Sequence, residues 1–355
     1  MYSLVPSTYK NDDCIFLLKD LSNIIDYTSI EEKEKNILNG ISYSEMICKE
    51  DFVSPEINKI FLDMLESRAE ELADYIAIIS DEAFRLKGQN LILVSLARAG
   101  SPIGVLMRKY LQFKYSILVP HYSISIIRGK GIDENALKYI IKNHPEGNIL
   151  FIDGWTGRGS ITFELKKSIK EFNKKYNQNI DDSLAVLADP AKKSEIYGTR
   201  KDVCIPNACL NSTVSGLVSR TIHNSDYIKD IDFHGAVFFD SLVSQDYSNY
   251  FIEKVSSKFN KNHSNIIFEK PELSYVDHVF DTLISKKILD KNFNPTRVKL
   301  SIGEVSRSVI RRMPSRIFIK NMDDPNVQFV VHMANLKSIP IFKDSICEYS
   351  CVSIL

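Results

Sequence analysis

The chain has 355 residues, enough for two or three domains, with the 44% hydrophobic and 25% charged content of an ordinary globular protein. Its 45 basic residues balance 45 acidic ones, so no global field draws it to nucleic acid, and any such binding must come from a local patch. No apolar run reaches the roughly 18 residues of a membrane span, and Met1 to Lys10 carry no signal-peptide pattern; the six scattered cysteines form no CxxC pair, which argues against a zinc ribbon and for reduced thiols in a cytoplasmic protein.

Residues 1–50 are mixed, with a charged run, Glu31 to Lys35, that reads as a solvated helix face. Ser54-Pro55-Glu56 supplies a side-chain cap, a proline suited to the first helical position and an acid in the first turn, and Gly88 supplies a stop; a helix is predicted over 55–87. A strand over Leu91 to Leu96 runs into Ala97-Arg98-Ala99-Gly100-Ser101-Pro102 and a helix from Ile103 to Leu111. Tyr115 to Val119 reads as the next strand. His121 follows Pro120 as a satisfied strand-end histidine or a base, and Arg128-Gly129-Lys130-Gly131 as a basic loop before a helix over 133–143.

Ile149 to Ile152 are four apolar residues in a row, as in a parallel strand covered on both faces. Asp153 ends the run. Gly154-Trp155-Thr156-Gly157-Arg158-Gly159-Ser160 then lead into apolar positions at helical spacing (Ile161, Leu165, Ile169, Phe172, Tyr176). Strands are also expected at 183–188 and 235–239, and a helix at about 246–259. Strands alternating with helices predict an α/β fold with a mostly parallel sheet, whose ligands bind beyond the carboxyl ends of the strands. The polar stretch 198–224, including Asn211-Ser212-Thr213, is too long for a bland connection. Between 286 and 320, ten basic residues face only Asp290 and Glu304. A small α/β module is read there: helix 303–312, strand 316–320, helix 325–336, and strands 339–342 and 349–354; Cys347 and Cys351, four apart near the C-terminus, read as alternating strand residues.

Thr156 to Ser160 place hydroxyls, glycines and free N–H groups at a helix N-terminus, an anion site. A sugar polyphosphate held there would set a terminal phosphate on this turn, with ribose hydroxyls or a divalent metal near Asp153. A second phosphate would lie on Arg98 and its loop, and Arg128 and Lys130 would close over a pyrophosphate leaving group whose charge Mg²⁺ shares. Trp155 is either a ring-stacking surface or a packing residue. Arg98 is otherwise an ion-pair partner.

Ser95-Leu96-Ala97-Arg98-Ala99-Gly100, Ile127 to Asp133, Phe151 to Gly157, Cys209 to Leu217, Ile302-Gly303-Glu304 and Arg311-Arg312 stand in one order along nearly the whole chain. In that arrangement the chain resembles the type I phosphoribosyltransferases. It is closer to a subgroup of tellurium-resistance and stress operons that joins a phosphoribosyltransferase-like domain to a C-terminal Pelota-like RNA-binding domain, some members of which are labelled cysteine protease StiP. Asp153 stands alone where the wider family has two acids. The resemblance implies a phosphoribosyltransferase-like parallel sheet with helices on both faces and a small C-terminal Pelota-like domain. The divisions are 1–88, an N-terminal extension and long helix; 89–264, the main domain; 265–295, a connection; and 296–355, the RNA-binding domain. It implies a glycosyltransferase acting on phosphoribosyl pyrophosphate or a related sugar phosphate with Mg²⁺, making or cleaving an N-glycosidic bond. Its expected site residues are Asp153, Arg128 and Lys130 for catalysis; Ser95, Ala97, Arg98, Ala99, Gly100, Gly154 to Ser160, Asn211, Ser212 and Thr213 for substrate; and Arg307, Arg311 and Arg312 for RNA. A homodimer is also expected. Two alternatives stand beside it: a cysteine protease using Cys209, with His223 and His234 following in sequence, and a non-catalytic nucleotide-sensing RNA-binding protein.

Overall fold

A computed structural model describes residues 3–344 and 349–355, without the Glu34 side chain; Cys347 lies outside the described residues. After two short strands, β1 (Ile15–Phe16) and β2 (Lys19–Asp20), come α1 (Ile30–Leu38) and the long α2 (Pro55–Lys87). The predicted signals act as expected on α2: the Ser54 hydroxyl accepts from the Ile57 amide at 3.4 Å, Pro55 opens the helix, and Gly88, at φ 69°, ends it. At 33 residues it is about 50 Å long.

The main domain continues with β3 (Leu91–Leu96), α3 (Ser101–Tyr115), β4 (His121–Ile124), β5 (Ile126–Ile127), β6 (Gly131–Ile132), α4 (Glu134–Asn143), β7 (Asn148–Trp155), α5 (Ser160–Tyr176), β8 (Leu184–Ala188), β9 (Ile196–Thr199), β10 (Gly235–Ala236) and α6 (Ser248–Ser256). Six strands form one parallel sheet in the order β1-β4-β3-β7-β8-β9, with Val94 opposite both Tyr122 and Phe151. Alternation along the strands divides the core. Leu91, Leu93, Leu150, Ile152, Ala185 and Leu187 pack under α2, α3 and α6; Ile92, Val94, Ile149, Phe151, Leu184 and Val186 pack under α4 and α5.

The C-terminal unit holds α7 (Tyr275–Ser285), β11 (Val298–Leu300), α8 (Ile302–Arg311), β12 (Arg316–Ile319), α9 (Gln328–Leu336), β13 (Ile341–Lys343) and β14 (Cys351–Ile354). Its mixed sheet runs β11-β14-β12-β13. One face carries α7; the other carries α8 and α9, and that core also takes in Met64 of α2 with Cys204 and Cys209 of the main domain. The fold is therefore the expected α/β sheet flanked by helices with a small second sheet domain. Among the described residues, no helix is long and apolar enough to cross a membrane.

Three local readings are corrected. The strand expected at 115–119 is the end of α3 and a connection, because Ser116 turns left-handed at φ 58°; the strand begins at His121. Of 235–239 only Gly235–Ala236 pairs as a strand, alongside β2. At the C-terminus the strand is confined to Cys351–Ile354.

Candidate functional site

A cleft of about 80 Å³ opens where the carboxyl end of β7 and the start of α5 meet β11 and α8. It gathers residues expected from four separate stretches: Ala99, Arg128, Asp153 with Trp155 to Ser160, and Arg307. Lys299 and Glu304 also line it. Asp153 accepts from the Gly154 amide at 2.7 Å, and burial, with Glu304 reinforcing and Arg307 opposing, pushes its carboxyl up to about 6.

The turn itself is less open than a phosphate loop. Thr156 is buried, donating its hydroxyl to Asp189 and accepting from the Ala191 amide at 3.3 Å. Gly157 lies against the second domain: a Cβ there would stand 2.9 Å from the Leu300 carbonyl oxygen, and its own carbonyl accepts from the Tyr349 hydroxyl at 2.9 Å. Trp155 is a packing residue, pressed on Gly303 and covered by the Arg307 guanidinium at 4.7 Å. Arg158 donates to the Ser160 hydroxyl at 3.0 Å. Four cations nonetheless remain around the cleft. Burial lowers Lys299 to about 8; Arg128, Arg312 and Arg158 press the same way, and Glu304 opposes.

The other expected binding residues serve the scaffold. Arg98 is 5% exposed, pairs with Glu50 at 2.6 Å and donates to the Val218 carbonyl at 2.8 Å. Glu50, which the sequence did not single out, also accepts from the Ser212 amide at 2.9 Å and hydroxyl at 2.6 Å. Burial would raise its carboxyl, but Arg98, Ser212 and Arg311 outweigh this and hold it below the usual carboxylate range. Asn211 accepts from Arg311 at 2.6 Å, and Thr213 is buried. Ser95 is buried between the Gly100 carbonyl and His121. Gly100 packs on the Ile152 carbonyl, and Ala97 carries no polar side chain to offer. Lys130 does not overhang the cleft: it is tied to Glu45 at 3.0 Å and the His223 carbonyl at 3.1 Å. Of the residues expected to meet RNA, Arg307 and Arg311 face the seam between the domains, and only Arg312 is exposed. Among the described residues, no group of three or more His, Cys, Asp or Glu is placed to hold a metal ion.

The thiols separate clearly. Cys209 is 1% exposed, its sulfur 3.8 Å from that of Cys204, and burial raises its thiol well above the ordinary value. Cys209, expected as the alternative nucleophile, therefore sits in the core without the open setting in which a thiol is readily activated. Cys14 does touch a histidine, His121 Nε2, at 3.9 Å, while His121 Nδ1 meets the Asp13 carbonyl at 2.7 Å. Both are sealed inside, and burial drives the thiol up and the imidazole down to about 4. His121 is thus the satisfied strand-end histidine. Its sign follows: between about pH 6.5 and 4 the unfolded state takes a proton that the folded state refuses, so stability is present above 6.5 and lost below. Comparing unfolding free energies at pH 7 and pH 5, wild type should lose more than His121→Gln; equal losses would contradict a neutral buried ring.

Among the described cysteines, only Cys48 is not buried. It lies within electrostatic range of Lys33 and Arg220. Its segment runs beside 219–224: the His223 amide donates to the Ser44 carbonyl at 2.8 Å, and Arg220 donates to the Met46 carbonyl. Nδ1 of His223 is buried without a partner among the described residues.

A family described as "Tellurite-like stress resistance cysteine protease StiP" matches residues 7–256, and one described as "PELOTA RNA binding domain" matches residues 285–355. A protein of Acinetobacter baylyi named "Cysteine protease StiP" is 29% identical over 363 residues, which span 98% of this chain and 93% of that protein. The expected phosphoribosyltransferase activity is overturned by these matches: both the family and the relative are described as cysteine proteases, hydrolases rather than glycosyltransferases. The covered turn and the Arg98–Glu50 pair agree with that correction, because they leave no open phosphate loop.

Proposed function

We propose, from the premise that this chain belongs to the StiP family of tellurite-like stress resistance proteins, that it is a cysteine protease whose nucleophile is Cys48 and whose C-terminal domain engages RNA. The observation that carries the reading is the setting of Cys48: partly exposed, within electrostatic range of Lys33 and Arg220, on a segment paired with the one bearing His223. Burial and the charge of Lys130 lower the His223 imidazole, so the ring is neutral near pH 7 and able to take a proton. In this reading the Cys48 thiol passes its proton to His223 and the thiolate attacks a peptide carbonyl. The amine leaves with that proton, and water then releases the acyl group from sulfur.

Trace iodoacetamide should alkylate Cys48 ahead of Cys14, Cys204, Cys209 and Cys351, read by peptide mass spectrometry. On a fluorogenic peptide library, Cys48→Ala should lower turnover by roughly a thousandfold or more, as removal of a nucleophile does, and His223→Ala should also impair it. Cys209→Ala should retain activity. Hydrolysis that survives Cys48→Ala would sink the assignment.

A further inference from the structure

The cleft between the domains has a property that neither the protease reading nor the C-terminal match accounts for. Its cations come from both domains: Arg128 and Arg158 from the main domain and Lys299 and Arg307 from the C-terminal unit line it, and Arg312 lies within electrostatic range of Lys299. They are graded in depth. Arg128 and Arg312 are exposed, Arg158 and Lys299 are half-buried, and Arg307 lies on the floor over Trp155. Among the described residues, only Asp153 and Glu304 of its lining oppose them there. The crowding shows in the electrostatics: after burial, Arg128 is among the charges that lower the proton affinity of both Arg158 and Lys299. Like charges gathered on facing walls repel one another, and an anion laid between them removes that repulsion.

We infer that the phosphate backbone of single-stranded RNA runs across the seam, held jointly by Arg128 and Arg158 of the main domain and by Lys299 and Arg312 of the C-terminal domain. The inference rests on the RNA-binding reading of the C-terminal domain and extends it, because it places half of the RNA surface outside residues 285–355. The exposed mouth, with a cation on each wall, suits a strand passing through better than a small enclosed anion. Trp155 is already covered by Arg307, so bases find no stacking surface on it and recognition is by charge, independent of sequence.

The test is binding of the full-length protein to a fluorescent single-stranded oligonucleotide across a salt series. With about 0.7 counterions released per phosphate contact, Arg128→Gln with Arg158→Gln should reduce the slope of log affinity against log salt by about 1.4. Between 50 and 200 mM salt, wild type then loses about sevenfold more affinity than the double variant. Lys299→Gln with Arg312→Gln should do the same, and Arg128→Gln alone, at an exposed position that does not threaten folding, should remove about 0.7. If main-domain variants keep the wild-type slope while the C-terminal pair loses it, RNA is confined to the C-terminal domain; the inference fails and the RNA reading stands. If wild type binds no RNA at low salt, both fail. If the cleft instead takes inorganic phosphate at one saturable site and no RNA, it is a small-anion site and the inference is overturned.

Discussion

Replacing Glu50 with glutamine is expected to remove about 3–5 kcal/mol of unfolding free energy, the loss seen when one partner of a buried ion pair is deleted. The reason lies in what stays behind. The Arg98 side chain is 3% exposed, its Nε already has no partner, and Glu50 is the one carboxylate it pairs with among the described residues. Arg311 also lies close enough to feel that charge. Glutamine keeps the shape and can still accept from Ser212, so any loss reports the charge and not a cavity. Chemical denaturation of E50Q measures it, and E50Q combined with Arg98→Met should recover a large part. An E50Q protein within about 1 kcal/mol of wild type would show that the pair is not isolated from water.

Gly157→Val is expected to cost at least about 1–3 kcal/mol, the usual penalty for overpacking. The Leu300 oxygen, 2.9 Å from the added Cβ, belongs to the backbone of β11 and cannot rotate aside. The two domains must part locally, taking the Tyr349 bond to Gly157 with them. Amide exchange should quicken in β11 and the first turn of α8, and much less in β3 and β7. Unchanged exchange across Val298 to Leu300 would mean that the seam is looser than the contacts imply.

Local physics was legible in the residues. The cap, proline and glycine around α2 set both its ends, and the strand, turn and helix from 148 to 176 followed from four apolar residues, two glycines and a helical stripe. What faced those elements was not legible. Gly157 looked like an approach for phosphate, yet the partner using its bare Cα is Leu300, 143 positions later. Arg98 read first as a phosphate ligand and otherwise as an ion-pair partner, and its partner Glu50, 48 positions earlier, sits in a stretch with no pattern of its own. Cys209 drew notice for its polar neighbours, but those neighbours point at Glu50 and Arg311 while the sulfur faces the core. The basic count at 286–320 signalled a patch but not its division: Arg307 and Arg311 turn inward, and Lys299 joins two arginines of the other domain.

The first turns of α2 have a consequence during synthesis. Ile57, Ile60 and Met64 share one core with Val305, Phe329 and Val330, and Val330 follows Met64 by 266 positions. At about 5–20 residues per second a ribosome needs on the order of 13–50 s to make that stretch. For that interval the nascent chain presents an uncovered apolar helix face with its native cover still untranslated. Chaperone occupancy on stalled chains should therefore concentrate on α2 and fall once α9 has emerged.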